Sequence, residues 1–196
     1  MRTSGKNLAS AMNITKSFNE NKQLNKRCIF ISHISIDKSA AIAIGEYIRK
    51  SGFDIYLDIY DTELQSAVAR NDDQKITESI EKGITYSTDI LCLVSESTKS
   101  SWWVPYEIGF AKSQNQKTNN KNNTISTLIT RDVEYIPSYL KVTNLLKGTK
   151  SLNEFLQDLA HKENLIEKAY NSSSSPNLIK NNIQNHPLDN YLNWQQ

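Results

Sequence analysis

Long apolar runs are missing from this sequence of 196 residues. A membrane-spanning helix needs about 20 consecutive, mainly apolar residues, whereas the apolar runs here extend over only a few. Residues 1–26 also lack an apolar core followed by a cleavage site, so they do not have the pattern of a secretory signal. We therefore expect a cytoplasmic protein with no membrane partner.

Cysteine is scarce as well, with only two residues in the chain. Cys28 and Cys92 each lie inside an apolar run, and no Cys-x-x-Cys motif or Cys/His cluster accompanies them. A redox pair or a pair of metal ligands is the alternative interpretation, but the pattern favours two reduced core thiols on strands. We expect no metal site.

Charge of one sign is not in excess, because 23 Lys and Arg residues face 21 Asp and Glu residues, for a net charge of +2. The lysines are scattered, and no basic stripe interleaved with aromatic residues is present, which argues against a nucleic-acid partner. A hydrophobic content of 38% and a charged content of 22% are typical of soluble globular proteins.

The chain length fits one domain with tails and suffices to bury a sizeable core. Residues 1–25 are polar and rich in Asn, Lys and Ser, which indicates a flexible N-terminal arm. We expect residues 26–165 to form the structured domain. Residues 166–196 form a polar tail with a Ser/Pro linker at 172–176, and its scattered apolar residues leave open whether it docks on the domain or stays disordered.

Segments with strand character and helix character alternate along the chain. Short β-branched and aromatic runs predict strands at 27–32, 53–58, 89–95 and 124–130, with a weaker one within 142–146. Apolar spacings of three and four predict helices at 39–50, 73–86, 102–113 and 151–162. Polar loops are predicted at 59–72 and 114–123. This alternation favours an α/β fold, namely a flavodoxin-like, mainly parallel five-stranded sheet with helices on both faces.

The fold class indicates where a ligand would bind. In such sheets ligands lie beyond the carboxyl ends of the strands, near the switch point between the first and third strands. The loops that follow those strands are residues 32–38 and 95–107. Residues that carry chemistry are therefore expected in these two loops.

The second loop leads into an unusual segment, Ser100–Ala111, with two tryptophans, a proline and a glutamate. Pro105 is tolerated only in the first turn of a helix, so the helix should begin near Trp102. Trp103 and Glu107 are four residues apart, which puts the ring and the carboxylate on roughly one helix face. A carboxylate near a helix N-terminus is expected to remain ionised.

An aromatic ring beside a fixed carboxylate suits the cleavage of an N-glycosidic bond. The ring can pack on a base or a ribose, and the carboxylate can stabilise the oxocarbenium-like charge that develops as the base leaves. From the spacing alone a plainer interpretation is favoured: the rings pack in the core or an interface, and the glutamate only interacts with the helix dipole. Asp58 and His33 likewise could bind a ligand or simply belong to turns.

Three segments of the chain, read in order, resemble a bacterial TIR (Toll/interleukin-1 receptor) domain. They are RCIFISH, FDIYLDIYD and DILCLVSESTKSSWWVPYEIGFA. The most specific piece is a Ser/Thr-rich turn followed by Trp-x-x-x-Glu-Ile-x-x-Ala, which Trp103, Glu107, Ile108 and Ala111 match. The resemblance covers residues 26–160.

The resemblance implies that Glu107 is the catalytic glutamate of an enzyme that cleaves the nicotinamide–ribose bond of NAD⁺, with NAD⁺ as substrate and no cofactor. It implies substrate-site positions for Trp103, Ser32, His33 and Asp58. Family members hydrolyse NAD⁺, cyclise the ADP-ribose or transfer it, and they form homo-oligomers through TIR–TIR contacts. The first loop, SHISID, lacks the aromatic residue or arginine often found there.

The size and the short arms of the chain are similar to those of the TIR subunit of Thoeris-type anti-phage defence. In that family an ADP-ribose-derived nucleotide signal activates a separate effector, which we expect here. Two alternatives are a non-catalytic TIR adaptor, which would act through exposed loops, and a nucleoside deoxyribosyltransferase-like enzyme.

Overall fold

The computed structural model describes residues 4–10, 14–23, 26–117, 124–131, 133–168 and 186–194. Within them, the strands are β1 (Cys28–Ser32), β2 (Asp54–Tyr56), β3 (Asp89–Val94), β4 (Ile125–Ile129) and β5 (Asn144–Leu146). The α-helices are α1 (Ile14–Gln23), α2 (Lys38–Lys50), α3 (Thr62–Ala69), α4 (Asp73–Tyr86), α5 (Trp103–Lys117) and α6 (Thr149–Lys168). No helix in the described ranges is long and apolar enough to cross a bilayer.

All five strands are parallel and lie in the order β2-β1-β3-β4-β5. The chain passes from β1 outward to β2 and then returns to β3 on the other side of β1. This reversal creates the switch point between β1 and β3, where α/β proteins bind their ligands. The predicted flavodoxin-like α/β fold is therefore confirmed.

Helices cover both faces of the sheet, and strand alternation decides which side chain meets which helix. Ile29 and Ile31 pack in a cluster with residues of α2 and α6. Cys28 and Phe30 pack in a second cluster with residues of α4 and α5. Ser32, the last residue of β1, lies on the same strand face as Cys28 and Phe30 and therefore faces α5.

Both cysteines are buried thiols, as expected. Cys28 lies on β1 and Cys92 on β3. Burial raises the pKa of both thiols well above the ordinary range of a cysteine, so they are protonated in the protein.

The N-terminal segment was expected to be a flexible arm, but its described residues pack on the domain. Residues 4–10 run along the sheet edge, where Asn7 forms a parallel bridge with Ile55 of β2. Leu8 and Phe18 are almost fully buried, and the Phe18 ring stacks on Tyr86 at 5.0 Å between centroids. A few apolar side chains among many polar ones suffice to fold this segment onto the domain because the exposed edge of β2 accepts its backbone.

The C-terminal tail docks on the domain in its described part, residues 186–194. Leu188 and Leu192 are buried in the cluster of α2 and α6. The carbonyl of Asn193 accepts a hydrogen bond from the Thr149 backbone N–H at 3.0 Å. The predicted Ser/Pro linker at 172–176 lies outside the described residues.

The prediction of a polar loop at 59–72 was wrong, because α3 occupies most of it. Asp61 caps this helix by accepting hydrogen bonds from the backbone N–H groups of Glu63 at 2.9 Å and Leu64 at 3.1 Å. Only Leu64 and Ala67 bury apolar surface, too few to give a clear periodic signal. Residues 114–117, also predicted as loop, continue α5, and residues 118–123 lie outside the described part.

Candidate active site

Helix α5 begins where the sequence indicates. Its first residue is Trp103, Pro105 is its third, and the Ser101 hydroxyl accepts a hydrogen bond from the Val104 N–H at 3.3 Å. Val104 and Ile108 are buried against the sheet. Glu107 lies at the border of this buried face, which directs its carboxyl group inward rather than into solvent.

The carboxyl group of Glu107 meets the carboxyl end of β1. Its Oε2 accepts a hydrogen bond from the Ser32 hydroxyl, and the residue is only 4% exposed. Ser32 pairs in register with Cys92 of β3. Glu107 is thus fixed at the switch point between the two central strands, a place in the fold that commonly binds ligands.

Burial raises the pKa of Glu107 to about 8. The hydrogen bond from Ser32 opposes this shift, and the charge of Asp58 adds to it. The expectation that Glu107 stays ionised was therefore wrong. It is the fifth residue of α5, beyond the first turn in which the helix dipole acts, so desolvation dominates. At neutral pH the carboxyl group is largely protonated.

His33 and Asp58 come together beside this group. Nδ1 of His33 lies 3.5 Å from Oδ1 of Asp58, and only 6% of the histidine side chain is exposed. Asp58 Oδ1 is buried and forms no hydrogen bond with the part of the chain that the structure describes. Burial raises the pKa of Asp58, and the imidazole of His33 opposes that shift. A buried oxygen that forms no hydrogen bond in the folded chain is suited to accept one from a ligand.

Trp103 lies on the more exposed side of the same helix. In an ideal helix it is about 40° around the axis from Glu107. The residue is 42% exposed, and its ring packs edge-on against Tyr106, with centroids 5.9 Å apart. The structure thus brings Ser32, His33, Asp58 and Glu107 together. Trp103 contacts Tyr106 on the more exposed side of α5, and its substrate role remains a prediction.

A comparison with protein families identifies the domain. The family model of the TIR domain matches residues 29–161, which extend from β1 to α6 and make up more than half of the chain. The chain belongs to the TIR domain family. A search of curated proteins found no significant match. The resemblance inferred from the sequence is confirmed at the level of the family.

Two polar residues that sequence reasoning missed connect the loops of the TIR domain site. The Ser95 hydroxyl, after β3, donates a hydrogen bond of 2.7 Å to Asp37, after β1. Asp37 directly precedes α2 but makes no side-chain cap to it. An acidic residue at that position normally signals only a cap, so its bond to the neighbouring loop could not be predicted from the sequence.

The TIR domain shows no group of three or more His, Cys, Asp or Glu side chains arranged to hold a metal ion within its described residues. A groove of about 580 Å³ lies between α3 and α4 and is lined by acidic and basic side chains. None of the predicted site residues lines this groove.

Proposed function

We propose that this TIR domain cleaves the nicotinamide–ribose bond of NAD⁺ with Glu107 as the catalytic residue. The observation that carries the proposal is the buried Glu107 carboxyl group, fixed by Ser32 at the β1–β3 switch point. A carboxyl group held out of water at a ligand-binding edge is costly to a fold, and such groups are concentrated at functional sites. Membership in the TIR domain family supports the same activity.

The chemistry requires charge stabilisation more than acid catalysis. When the glycosidic C–N bond breaks, its electron pair goes to the nicotinamide nitrogen, which becomes neutral, and the positive charge develops on the ribose. An adjacent carboxylate stabilises that charge in a water-poor site. Water then adds to the ribosyl cation and loses a proton to solvent, which gives ADP-ribose. Capture by a nucleophile of ADP-ribose itself gives a cyclic product.

The protonated state of Glu107 in the ligand-free protein is compatible with this role. Bound NAD⁺ would bring the positive charge of the nicotinamide ring beside the carboxyl group. A nearby positive charge favours the ionised form and lowers the pKa of a buried carboxyl group. Glu107 would then release its proton on substrate binding, so the carboxylate exists when the ribosyl charge forms.

Asp58 and His33 would position the ribose. Asp58 Oδ1 is a buried acceptor without a hydrogen bond to any described residue, and a ribose hydroxyl is a donor that could form one. Trp103 would contribute a partly exposed ring at the outer border of the site, against which a base or the ribose can pack.

The test measures the release of nicotinamide from NAD⁺ by purified protein. Glu107→Gln retains the size of the side chain but cannot ionise, so we expect its rate to fall by about a hundredfold or more. Glu154→Gln, an exposed position on α6, is the matched control and should keep the wild-type rate. The assay is run on dilute protein, on concentrated protein and with phage-infected lysate. Equal background release by wild type and Glu107→Gln in all three conditions would reject the proposal.

We further propose that the product is an ADP-ribose-derived signal, made in the cytoplasm by a self-associated TIR protein and passed to a separate effector in anti-phage defence. The test is mass spectrometry of nucleotides from infected cells that express wild type or Glu107→Gln. A new nucleotide in wild-type cells alone is expected. If Glu107→Gln cells resist phage equally well and contain the same nucleotides, the signalling role is rejected.

A non-catalytic adaptor role has one observation in its favour. Trp102 is 90% exposed directly before α5, and a tryptophan in this setting commonly contacts a protein partner. An adaptor would lose its biological effect in Trp102→Ala and keep it in Glu107→Gln. The enzyme proposal predicts that Glu107→Gln abolishes the effect.

A further inference from the structure

The family match begins at residue 29, yet an N-terminal strap, residues 4–10 and 14–23, packs beside the site. It adds a short backbone pairing to the free edge of β2. The Ile55 N–H donates to the Lys6 carbonyl at 2.9 Å, and the Gly5 N–H donates to the Arg49 carbonyl at 2.8 Å. The strap therefore continues the sheet beyond its edge strand.

Asn7 connects the strap to the chain that carries Asp58. Its Oδ1 accepts a hydrogen bond from the Leu57 backbone N–H at 3.3 Å and one from the Ala9 N–H at 3.2 Å. Leu57 is buried and directly precedes Asp58. The short helical turn Leu8–Ser10 lies against the turn Asp58–Tyr60. Residues that precede the family match thus help to fix the position of Asp58.

Further contacts fix the strap in place. The carboxylate of Asp54 accepts hydrogen bonds from the Lys6 N–H at 2.6 Å and from the Asn21 amide at 2.7 Å. The ring of Phe18 stacks on Tyr56, with centroids 5.9 Å apart. Because both described parts of the strap bind residues of β2, the strap is anchored on either side of Asn7.

From these contacts we infer that the strap supports the site from outside and that Asn7 is its positioning residue, which holds Asp58 toward His33 and Glu107 through the Leu57 backbone. The effect that we expect of Asn7 on catalysis rests on the proposed function. Without the Asn7 oxygen, the buried Leu57 N–H has no acceptor in its present place, and the chain must shift to find one. Asp58 moves with it, away from the ribose position.

Asn7→Ser tests the contact with Leu57 alone. A serine hydroxyl still accepts from the Ala9 N–H and keeps the turn, but it is too short to reach Leu57. We expect the KM for NAD⁺ to rise about tenfold with a smaller change in kcat, the effect of one mispositioned substrate partner. Asn19→Ser, exposed on α1 in the same strap, is the matched control and should match wild type.

Asn7→Asp is the rescue variant, because a carboxylate oxygen accepts both hydrogen bonds. It should retain the wild-type KM. Asp58 acts on Glu107 by charge, so its displacement in Asn7→Ser should also lower the pKa of Glu107, read by NMR of carboxyl-labelled glutamate. Asn7→Asp should not lower this pKa. Thermal unfolding of each variant shows whether the fold is retained.

The NMR measurement separates this inference from the proposed function. If wild type releases no nicotinamide but the Glu107 titration moves in Asn7→Ser and not in Asn19→Ser, the proposed function fails and the positioning role stands. If wild type is active and a folded Asn7→Ser keeps both its KM and its Glu107 titration, the positioning role is overturned. A loss of folding in Asn7→Ser that Asn7→Asp does not repair also overturns it.

Discussion

At the scale of single residues, Glu107 is subject to two opposing influences on its ionisation. It is buried, and its Oε2 accepts a hydrogen bond from Ser32, which favours the ionised form, while burial and the Asp58 charge favour the protonated form. The balance brings its pKa to about 8. A carboxyl group in this range changes charge near physiological pH and responds to a cationic ligand.

The first prediction concerns the pH dependence of the proposed reaction. Because the ionised Glu107 is required, kcat/KM should rise with pH through the pKa of about 8 in the ligand-free protein. In Ser32→Ala the hydrogen bond that lowers this pKa is lost, so the rise should move to higher pH. Ser79→Ala, on α4, is the control and should keep the wild-type profile. If Ser32→Ala leaves the pH dependence of kcat/KM unchanged, the role given to this hydrogen bond is contradicted.

The second prediction concerns stability. The folded state raises the pKa of Glu107 to about 8 and so keeps its proton, whereas the unfolded chain loses it at the ordinary glutamate pKa. The unfolding free energy contributed by this group is therefore present at low pH and is lost as the pH rises to about 8, by at most about 1.4 kcal/mol per pH unit. Glu107→Gln has no such proton, so its stability relative to wild type should increase with pH over this window. Urea unfolding at several pH values measures the difference, and a constant difference would contradict the account.

At the scale of elements, the strands were predictable because a parallel sheet buried on both faces needs nearly continuous apolar runs. Residues 89–94 show this most clearly, and the predicted strand agrees with β3 within one residue. The short helix α3 was not predictable, since its N-cap Asp61 and two buried apolar residues give a weak signal. The joining of Asp37 to Ser95 was also out of reach, because it depends on how two loops meet in space.

The third prediction compares two glycines inside helices. A Cβ on Gly83 of α4 would lie 2.6 Å from the Tyr56 ring and 2.9 Å from the Phe30 ring, whereas a Cβ on Gly109 of α5 would meet no atom of the described residues within 4 Å. Gly83→Ala should therefore destabilise the domain, because these rings are packed in the core. Gly109→Ala should stabilise it by about 0.5–1 kcal/mol, the helix propensity difference. Midpoints of urea unfolding decide this, and an equal effect of both changes would contradict the packing described for α4.

At the scale of the whole molecule, the segments before β1 and after α6 are structural parts of the domain where they are described. The sequence did not predict the strap, because Leu8 and Phe18 are isolated apolar residues in a polar stretch. The docking of residues 186–194 was one of two open possibilities. Whether these segments pack on the domain depends on the edge of β2 and on the surface of α2 and α6, and both surfaces form only when the domain folds.

The fourth prediction tests the contribution of the docked tail. Leu188 and Leu192 are both 1% exposed in the cluster with α2 and α6. Leu188→Ala or Leu192→Ala should each lower the free energy of unfolding by about 2–5 kcal/mol, the usual cost of such a cavity. Asn190→Ala, exposed in the same segment, should leave it unchanged. Urea unfolding is the measurement, and wild-type stability of both leucine variants would show that the tail does not belong to the cooperative unit.

The central claim is that a buried Glu107 carboxyl group stands where the nicotinamide riboside of NAD⁺ binds. The most direct measurement is the NMR titration of its labelled carboxyl carbon, alone and with an excess of an NAD⁺ analogue whose ribose ring oxygen is replaced by a methylene group. The account predicts a pKa of about 8 in the ligand-free protein and a clearly lower pKa in the complex. An ordinary glutamate pKa in the ligand-free protein, or a titration that a bound analogue leaves unchanged, would contradict it.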